Sequence, residues 1–565
     1  MPAAGIRHHH RVNIQNPALV SQAAARRLPR PALLAFCAAY LLPGMFGRDP
    51  WRNADLSTFG AMVSMAEGRS SWLAPALGGL PVDAAPLPHW LGAASIALLS
   101  PVVEPALAAR LPFALLLALV LALTWYATFH LARTEAALPA AFVFGGEAAP
   151  VDYARAIADG ALLALIASLG LLQLGHETTP ELAQLCAVSL FVYGLAAAPF
   201  RALQSRAAVL AALPMLAGSG APAVALAVGL AGAAVCALSG HAPVRALTRW
   251  VLAASALAAL LALATGAWRW RVSTAFDAEL ALVIARQWLW FLWPVWPLAL
   301  WTLWRWRRHL WRRHLAVPLT SVLVAIATNL VLGGSDRALM LALPGLAVLA
   351  AFALPTLARS TAAAIDWFTI FFFTLCVAAI WVIYVAFQTG VPAKPAANVA
   401  KLAPGFVAQL SWPELLLAAV GTLAWLWLVR WRTGRHRDAV WKSLVLPAGG
   451  VALCWLLLMT LWLPLLDYAR SARPLIERLT AIVPPGSCVA GIELSLPMVA
   501  ALEHHGRYRV DAQPGAAARD CEVLLRVVPE RPLPAPPPGW SLMAELQRPT
   551  DRDEVTAVYR RTGAR

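Results

Sequence analysis

The sequence predicts an α-helical protein that crosses a membrane many times, and three observations carry that reading. Of its 565 residues, 60% are hydrophobic and only 13% charged, with a mean hydropathy of +0.66. Many apolar runs approach the roughly 20 residues that a bilayer-spanning helix requires. The runs lack the two-residue alternation of a membrane β-barrel, and lipid leaves a backbone unsatisfied in anything but a helix or a closed barrel.

The first apolar run begins near Pro31, after a basic, His-rich head containing Arg7, His8 to His10, Arg11, Arg26, Arg27 and Arg30. No small-residue cleavage site clearly follows it, so residues 1–30 are expected to stay in the cytoplasm. About thirteen spans are expected, near 31–47, 112–131, 158–174, 181–199, 206–219, 221–239, 247–267, 280–304, 316–333, 338–357, 365–387, 412–430 and 443–465. On this count one set of loops holds Arg201 and Arg206, Arg245 and Arg249, the run WRWRRHLWRRH at 304–314, and WRTGRHRDAVWK at 431–442. These agree with the positive-inside rule. The opposite loops, at 48–111, 175–180, 268–279, 334–337 and 388–411, carry fewer Lys and Arg and more Gly, Pro and acids. Only a Gly218-Ser219-Gly220-Ala221-Pro222 turn separates the short fifth span from the sixth, and losing either would invert everything before it.

The net charge of +16 sits in short loops between spans, where orientation and anionic headgroups account for it, so no nucleic-acid partner is expected. Many of the 25 Trp residues flank spans, where indoles favour the interface.

After the transmembrane part at 31–466, residues 467–565 change character. Strand-like runs at 488–494, 521–528 and 554–561 and a helical run at 472–483 predict a small α/β domain, placed in the periplasm by an odd span count. Cys37, Cys186, Cys236, Cys376 and Cys454 fall in or near spans as small hydrophobes. Cys488 and Cys521 each open a strand-like run, and are either a disulfide or two unpaired core thiols.

The chemistry concentrates in the first long loop, 48–111, which holds Asp49, Asp55, Glu67, Asp83 and Glu104 among Arg48, Arg52, Arg69, Arg110 and His89. Arg can hold a phosphate while a carboxylate takes a proton from an incoming hydroxyl, which suits an anionic lipid-linked donor. Prolines in LPVDAAPLPHW would hold Asp83 and His89 on a stiff backbone. The plain alternative for these residues is a solvated loop.

Three stretches resemble GT-C membrane glycosyltransferases, of the branch that contains protein O-mannosyltransferases and the bacterial transferases that place aminoarabinose on lipid A. RDPWRNADLSTFG at 48–60 is similar to an Asp-Pro-Trp, basic, then acidic-pair pattern, with Asp55 in the second acidic place and Ala54 in the first. WLAPALGGLPVDAAPLPHWLGAA at 72–94 resembles a Glu-Lys-Pro-Pro-Leu step, with Asp83 for the Glu and Ala84 for the Lys. GHETTPEL at 175–182 resembles the turn before the fourth span, with Glu181 nearest the acid and His176 and Glu177 beside it. YARAIADGALLA at 153–164 looks similar, but the span count puts Asp159 on the cytoplasmic side. PALAARLPFALL at 105–116 and GGSDRALMLALPGLAVL at 333–349 add weaker matches, the latter presenting Arg337.

The resemblance implies transfer of a sugar from an undecaprenyl-phosphate donor to a hydroxyl of a lipid, glycan or protein at the periplasmic face of a bacterial inner membrane. It implies Asp55 as general base with Asp83 as alternate or orienter, Arg52 and Arg337 on the donor phosphate, and His89, His176, Glu177 and Glu181 towards substrate. The phosphate is already a fair leaving group, so no cofactor is required and no metal-ligand spacing is evident, although a divalent ion is compatible with the chemistry. Two other readings stand beside this one. A transporter or flippase of lipid-linked sugars would want polar groups within the spans, which are mostly Ala, Leu, Val and Trp. A catalytically silent assembly partner would explain Ala54 and Ala84.

Overall fold

The computed structural model describes residues 18–562 apart from 52, 143, 269–271, 273–276, 435–438, 517–520, 529–532, 534 and 552. Every one of the thirteen expected apolar segments is helical. Among the described residues, seven helices are long and apolar enough to cross a membrane: Pro105–Ala132, Pro180–Ala197, Ala242–Ala264, Arg313–Val331, Arg359–Thr389, Trp412–Thr433 and Val440–Leu458. Arg30–Leu41, Ala202–Gly218, Pro222–Ala237 and Leu343–Thr356 are apolar but shorter. Proline begins Pro105–Ala132, Pro150–Ala167, Pro180–Ala197 and Pro222–Ala237, at the position where its missing N–H costs nothing.

Four expected spans are interrupted, 338–357 between Met340 and Leu343, 443–465 between Leu458 and Leu463, and two more. Segment 158–174 divides at Ser168 into Pro150–Ala167 and Leu169–Leu174, and segment 280–304 divides before Val295 into Ala278–Phe291 and Val295–Arg305. These last two breaks meet, since the Leu169 amide donates to the Trp293 carbonyl at 3.0 Å. Irregular backbone is thus satisfied inside the protein, as a membrane interior demands.

The long loop after the first helix is not irregular. It forms Ala54–Ala66 and Pro86–Leu99, joined by a hairpin of β1 (Ala76–Leu77) and β2 (Leu80–Pro81). Gly78 and Gly79 turn that hairpin with φ of 53° and 79°, the left-handed backbone a two-residue turn needs.

The C-terminal region is an α/β unit. Strands β3 (Cys488–Ile492), β4 (Arg509–Asp511), β5 (Val523–Val528), β6 (Trp540–Gln547) and β7 (Val555–Arg561) form one sheet in the order β4-β3-β5-β7-β6. β3 runs parallel to β4 and β5, and β7 runs antiparallel to β5 and β6. Helix Leu496–His504 links β3 to β4, and Cys488 is disulfide-bonded to Cys521 with a Cα–Cα distance of 5.0 Å. This unit docks on the first loop. A Cβ added to Gly60 would lie 2.4 Å from that of Ala500, so glycine allows the two helices their close approach. Gly78 donates to Glu503 at 3.1 Å and accepts from the Ala512 amide at 2.9 Å.

Candidate active site

Asp55 lies in the first turn of Ala54–Ala66, where the helix dipole favours a carboxylate, and is 1% exposed. The chain reaches it through Asn53 at φ 72°, a backbone that Asn tolerates better than most residues. One carboxylate oxygen accepts from the Trp51 amide at 3.1 Å, and the other from the Thr178 amide at 2.8 Å and the Thr178 hydroxyl at 2.7 Å. The buried Arg48 guanidinium stands 3.7 Å away and donates to the His176 carbonyl at 2.6 Å. Burial pushes the Asp55 carboxyl up, but Arg48, Arg110 and the Thr178 bonds outweigh it and hold it below the usual carboxylate range. Asp55 is therefore a charged acceptor of three hydrogen bonds.

The same turn points its other side chains towards Arg337. Arg337 donates to Glu177 at 2.6 Å and to the Thr179 hydroxyl at 3.1 Å, with Glu181 at 3.6 Å. Glu177 also accepts from Gln173 at 2.9 Å. Burial and the neighbouring Asp55 charge hold the Glu177 carboxyl above its ordinary value, against the pull of Arg337. Thr178 faces Asp55 while Glu177 and Thr179 face Arg337, so one short turn couples the two clusters.

A cavity of about 460 Å³ opens beside this second cluster. Asp83, Ala84, Glu181, Gln184 and Arg337 form part of its lining, and the remainder is largely apolar, including Trp268, Val324, Val331 and Leu341. The structure thus brings together Asp83, Glu181 and Arg337, from three distant stretches of chain. Ala84, standing where the related pattern has Lys, leaves Arg337 as the only cation in the described lining.

The other expected residues are placed differently. His89 is 1% exposed, and its ring nitrogens have no partner among the described residues. Burial lowers its pKa to about 4 against the opposing charge of Asp83, which leaves a neutral ring. His176 packs against Tyr40 and Trp455, with its ring nitrogens 2.7 Å from the Leu172 carbonyl and 2.8 Å from that of Tyr40. That ring fastens the turn to the first helix. Arg52 lies outside the described residues. Asp159 is remote from this cluster, accepting from the Leu28 amide at 2.8 Å and the Trp125 indole at 2.8 Å.

A third set of polar residues went unassigned in the sequence. Asp49 accepts from Ser471 at 2.8 Å and from Arg473, and Asp467 accepts from the Trp51 indole at 2.7 Å. These bonds tie the loop to the start of the C-terminal unit. The clue to Asp467 was an acid at the very end of the last apolar run; Thr178 offered no clue beyond its place between two acids. Among the described residues no group of three His, Cys, Asp or Glu is placed to hold a metal ion.

No protein-family model matches the sequence, and no curated protein does. The architecture has solved counterparts. A crystal structure of ArnT from Cupriavidus metallidurans bound to undecaprenyl phosphate superposes with a TM-score of 0.57 at 15% identity, over 94% of this chain and 97% of that one. The fold is similar to that of ArnT. The apo crystal structure of ArnT agrees, with a TM-score of 0.58 at 14% identity over 94% of this chain and 96% of that one. The likeness to ArnT covers 94% of this chain, and so extends over the helical bundle into the C-terminal unit.

Proposed function

We propose that this chain is a GT-C glycosyltransferase moving one hexosyl or pentosyl group from a polyprenyl-phosphate donor to a hydroxyl acceptor. The observation that carries the reading is the cavity itself. It joins a polar end, with Arg337, Asp83 and Glu181, to an apolar wall of Val324, Val331 and Leu341. A phosphate head and an isoprenoid tail need both. The ArnT structure that holds undecaprenyl phosphate supports the same donor class.

In this account Arg337 neutralises the donor phosphate, exchanging part of its contact with Glu177 and Glu181 for phosphate oxygens. Arg52 is a second phosphate ligand on its sequence pattern alone. Asp83 takes the proton of the acceptor hydroxyl; the acceptor oxygen bonds to the anomeric carbon, and the carbon–oxygen bond to phosphate breaks with its electron pair leaving on polyprenyl phosphate. Asp55 keeps its charge and holds Thr178, which sets the Glu177–Glu181 turn. The arrangement of basic loops on the opposite end of the bundle supports a periplasmic site in a bacterial inner membrane, with the N-terminus cytoplasmic. The acceptor would be a lipid, glycan or protein.

Titration of the purified protein with undecaprenyl phosphate, read by tryptophan fluorescence, tests the donor site. Saturable binding that weakens in Arg337→Ala is expected; equal binding by both proteins would remove the cavity from the account.

A further inference from the structure

A cavity of about 1020 Å³ lies away from the candidate active site. Helix Arg30–Leu41 lines it with Ala35 and Ala39, Trp412–Thr433 with Ala424 and Trp427, and Val445–Leu458 with Gly449. It is open to the surroundings: Trp427 is 63% exposed, and much of Trp412–Thr433 is exposed. At one end the lining changes abruptly to Arg26 and Arg27, both exposed.

That end is built. The Trp441 indole donates to the Arg26 carbonyl at 2.7 Å, the Val440 amide donates to the Ala24 carbonyl at 3.0 Å, and the Leu28 amide is held by Asp159. The backbone carrying the two guanidiniums is therefore pinned to the bundle on both sides. The far end of the same helix meets the active-site region, where Tyr40 bonds His176. The helix between them has 12 residues, a rise of roughly 18 Å, and half of the hydrocarbon core is roughly 15 Å. The helix is thus about one leaflet long, with the cation pair at the end away from the candidate site.

We propose that this groove is a binding site for an anionic glycerophospholipid of the opposite leaflet, its acyl chains between the helices and its phosphate on Arg26 and Arg27. Basic pockets between membrane helices take such headgroups. The length of one leaflet fits acyl chains and stops short of a polyprenyl chain, which separates this occupant from the donor. Small residues at Ala35, Ala39, Ala424 and Gly449 leave the space that the chains fill.

Native mass spectrometry of the full chain, released from phosphatidylcholine nanodiscs containing a minor fraction of phosphatidylglycerol, tests this. The wild type should retain one phosphatidylglycerol with at least tenfold preference over phosphatidylcholine. The double variant Arg26→Gln, Arg27→Gln should lose the preference, and Ala424→Phe, which fills the groove without touching the charge, should lose the retained lipid. Retention without headgroup preference, or a preference unchanged in both variants, would mean ordinary annular lipid and overturn the site. Displacement of phosphatidylglycerol by equimolar undecaprenyl phosphate would also overturn it.

Discussion

Asp55 and Asp83 stand on the same loop, yet the structure gives them opposite surroundings. Asp55 is shut away, with three donors and a nearby guanidinium meeting its two oxygens. Asp83 lines a cavity that also presents Arg337 and Glu181. A carboxylate held by three hydrogen bonds inside the fold is placed to organise structure, whereas one that borders a void large enough for a ligand is placed to meet that ligand. On the proposed reading Asp83 is the base and Asp55 the scaffold, whereas the sequence pattern favours Asp55 for the chemistry with Asp83 as its alternate.

The sharpest way to break this division is Asp83→Asn. Loss of a general base should lower turnover by about 10²- to 10⁴-fold while undecaprenyl phosphate still binds and the melting temperature holds. Unchanged turnover in a steady-state assay would return the base to Asp55. Next, Arg337→Ala should weaken donor affinity by about 1.5–3 kcal/mol, the worth of a charge-assisted hydrogen bond, with a smaller effect on turnover at saturating donor. A titration that showed the effect on turnover alone would make Arg337 a transition-state group instead.

Asp55→Asn sharpens the other half. Its amide would turn a donor towards either the Trp51 amide or Thr178, leaving a buried group unsatisfied at a cost of about 1–3 kcal/mol. The expected signature is a fall in melting temperature together with lost activity, and activity lost at full stability would contradict the scaffold role. Because its carboxyl is held below the usual range, the stability Asp55 contributes is present above that range and is lost as pH falls through it.

The smallest expected effect concerns Asp467. Burial pushes its carboxyl up to about 6, with the Trp51 bond opposing, so the folded state holds this proton more tightly than the unfolded chain. Stability from that proton is present below the ordinary carboxylate value and is lost as pH rises through about 6. Asp467→Asn should flatten that part of a stability–pH profile measured between pH 4 and 7, and an unaltered profile would place the titration elsewhere.

Apolar length and proline placement made the helices legible, because membrane spans leave the chain few alternatives. The breaks at Ser168 and before Val295 were not, since each depends on a partner more than a hundred residues away. In the C-terminal unit β3, β5 and β7 were readable from their apolar runs. Strand β6 was missed because WSLMAELQ is largely half-exposed, and β4 because it is three residues long. Within the site, Asp83, Glu181 and Arg337 could be named from local patterns, but their convergence on one cavity could not. The distinction between Asp55 and Asp83 was out of reach for the same reason, since it rests on Thr178.

The most direct test of the account compares cells carrying the wild-type chain, the Asp83→Asn chain and no chain, by mass spectrometry of undecaprenyl-phosphate-linked sugars and envelope glycans. The account predicts that one lipid-linked sugar accumulates and a sugar-sized mass disappears from an acceptor in both defective strains. Identical profiles in all three strains would contradict a glycosyltransferase.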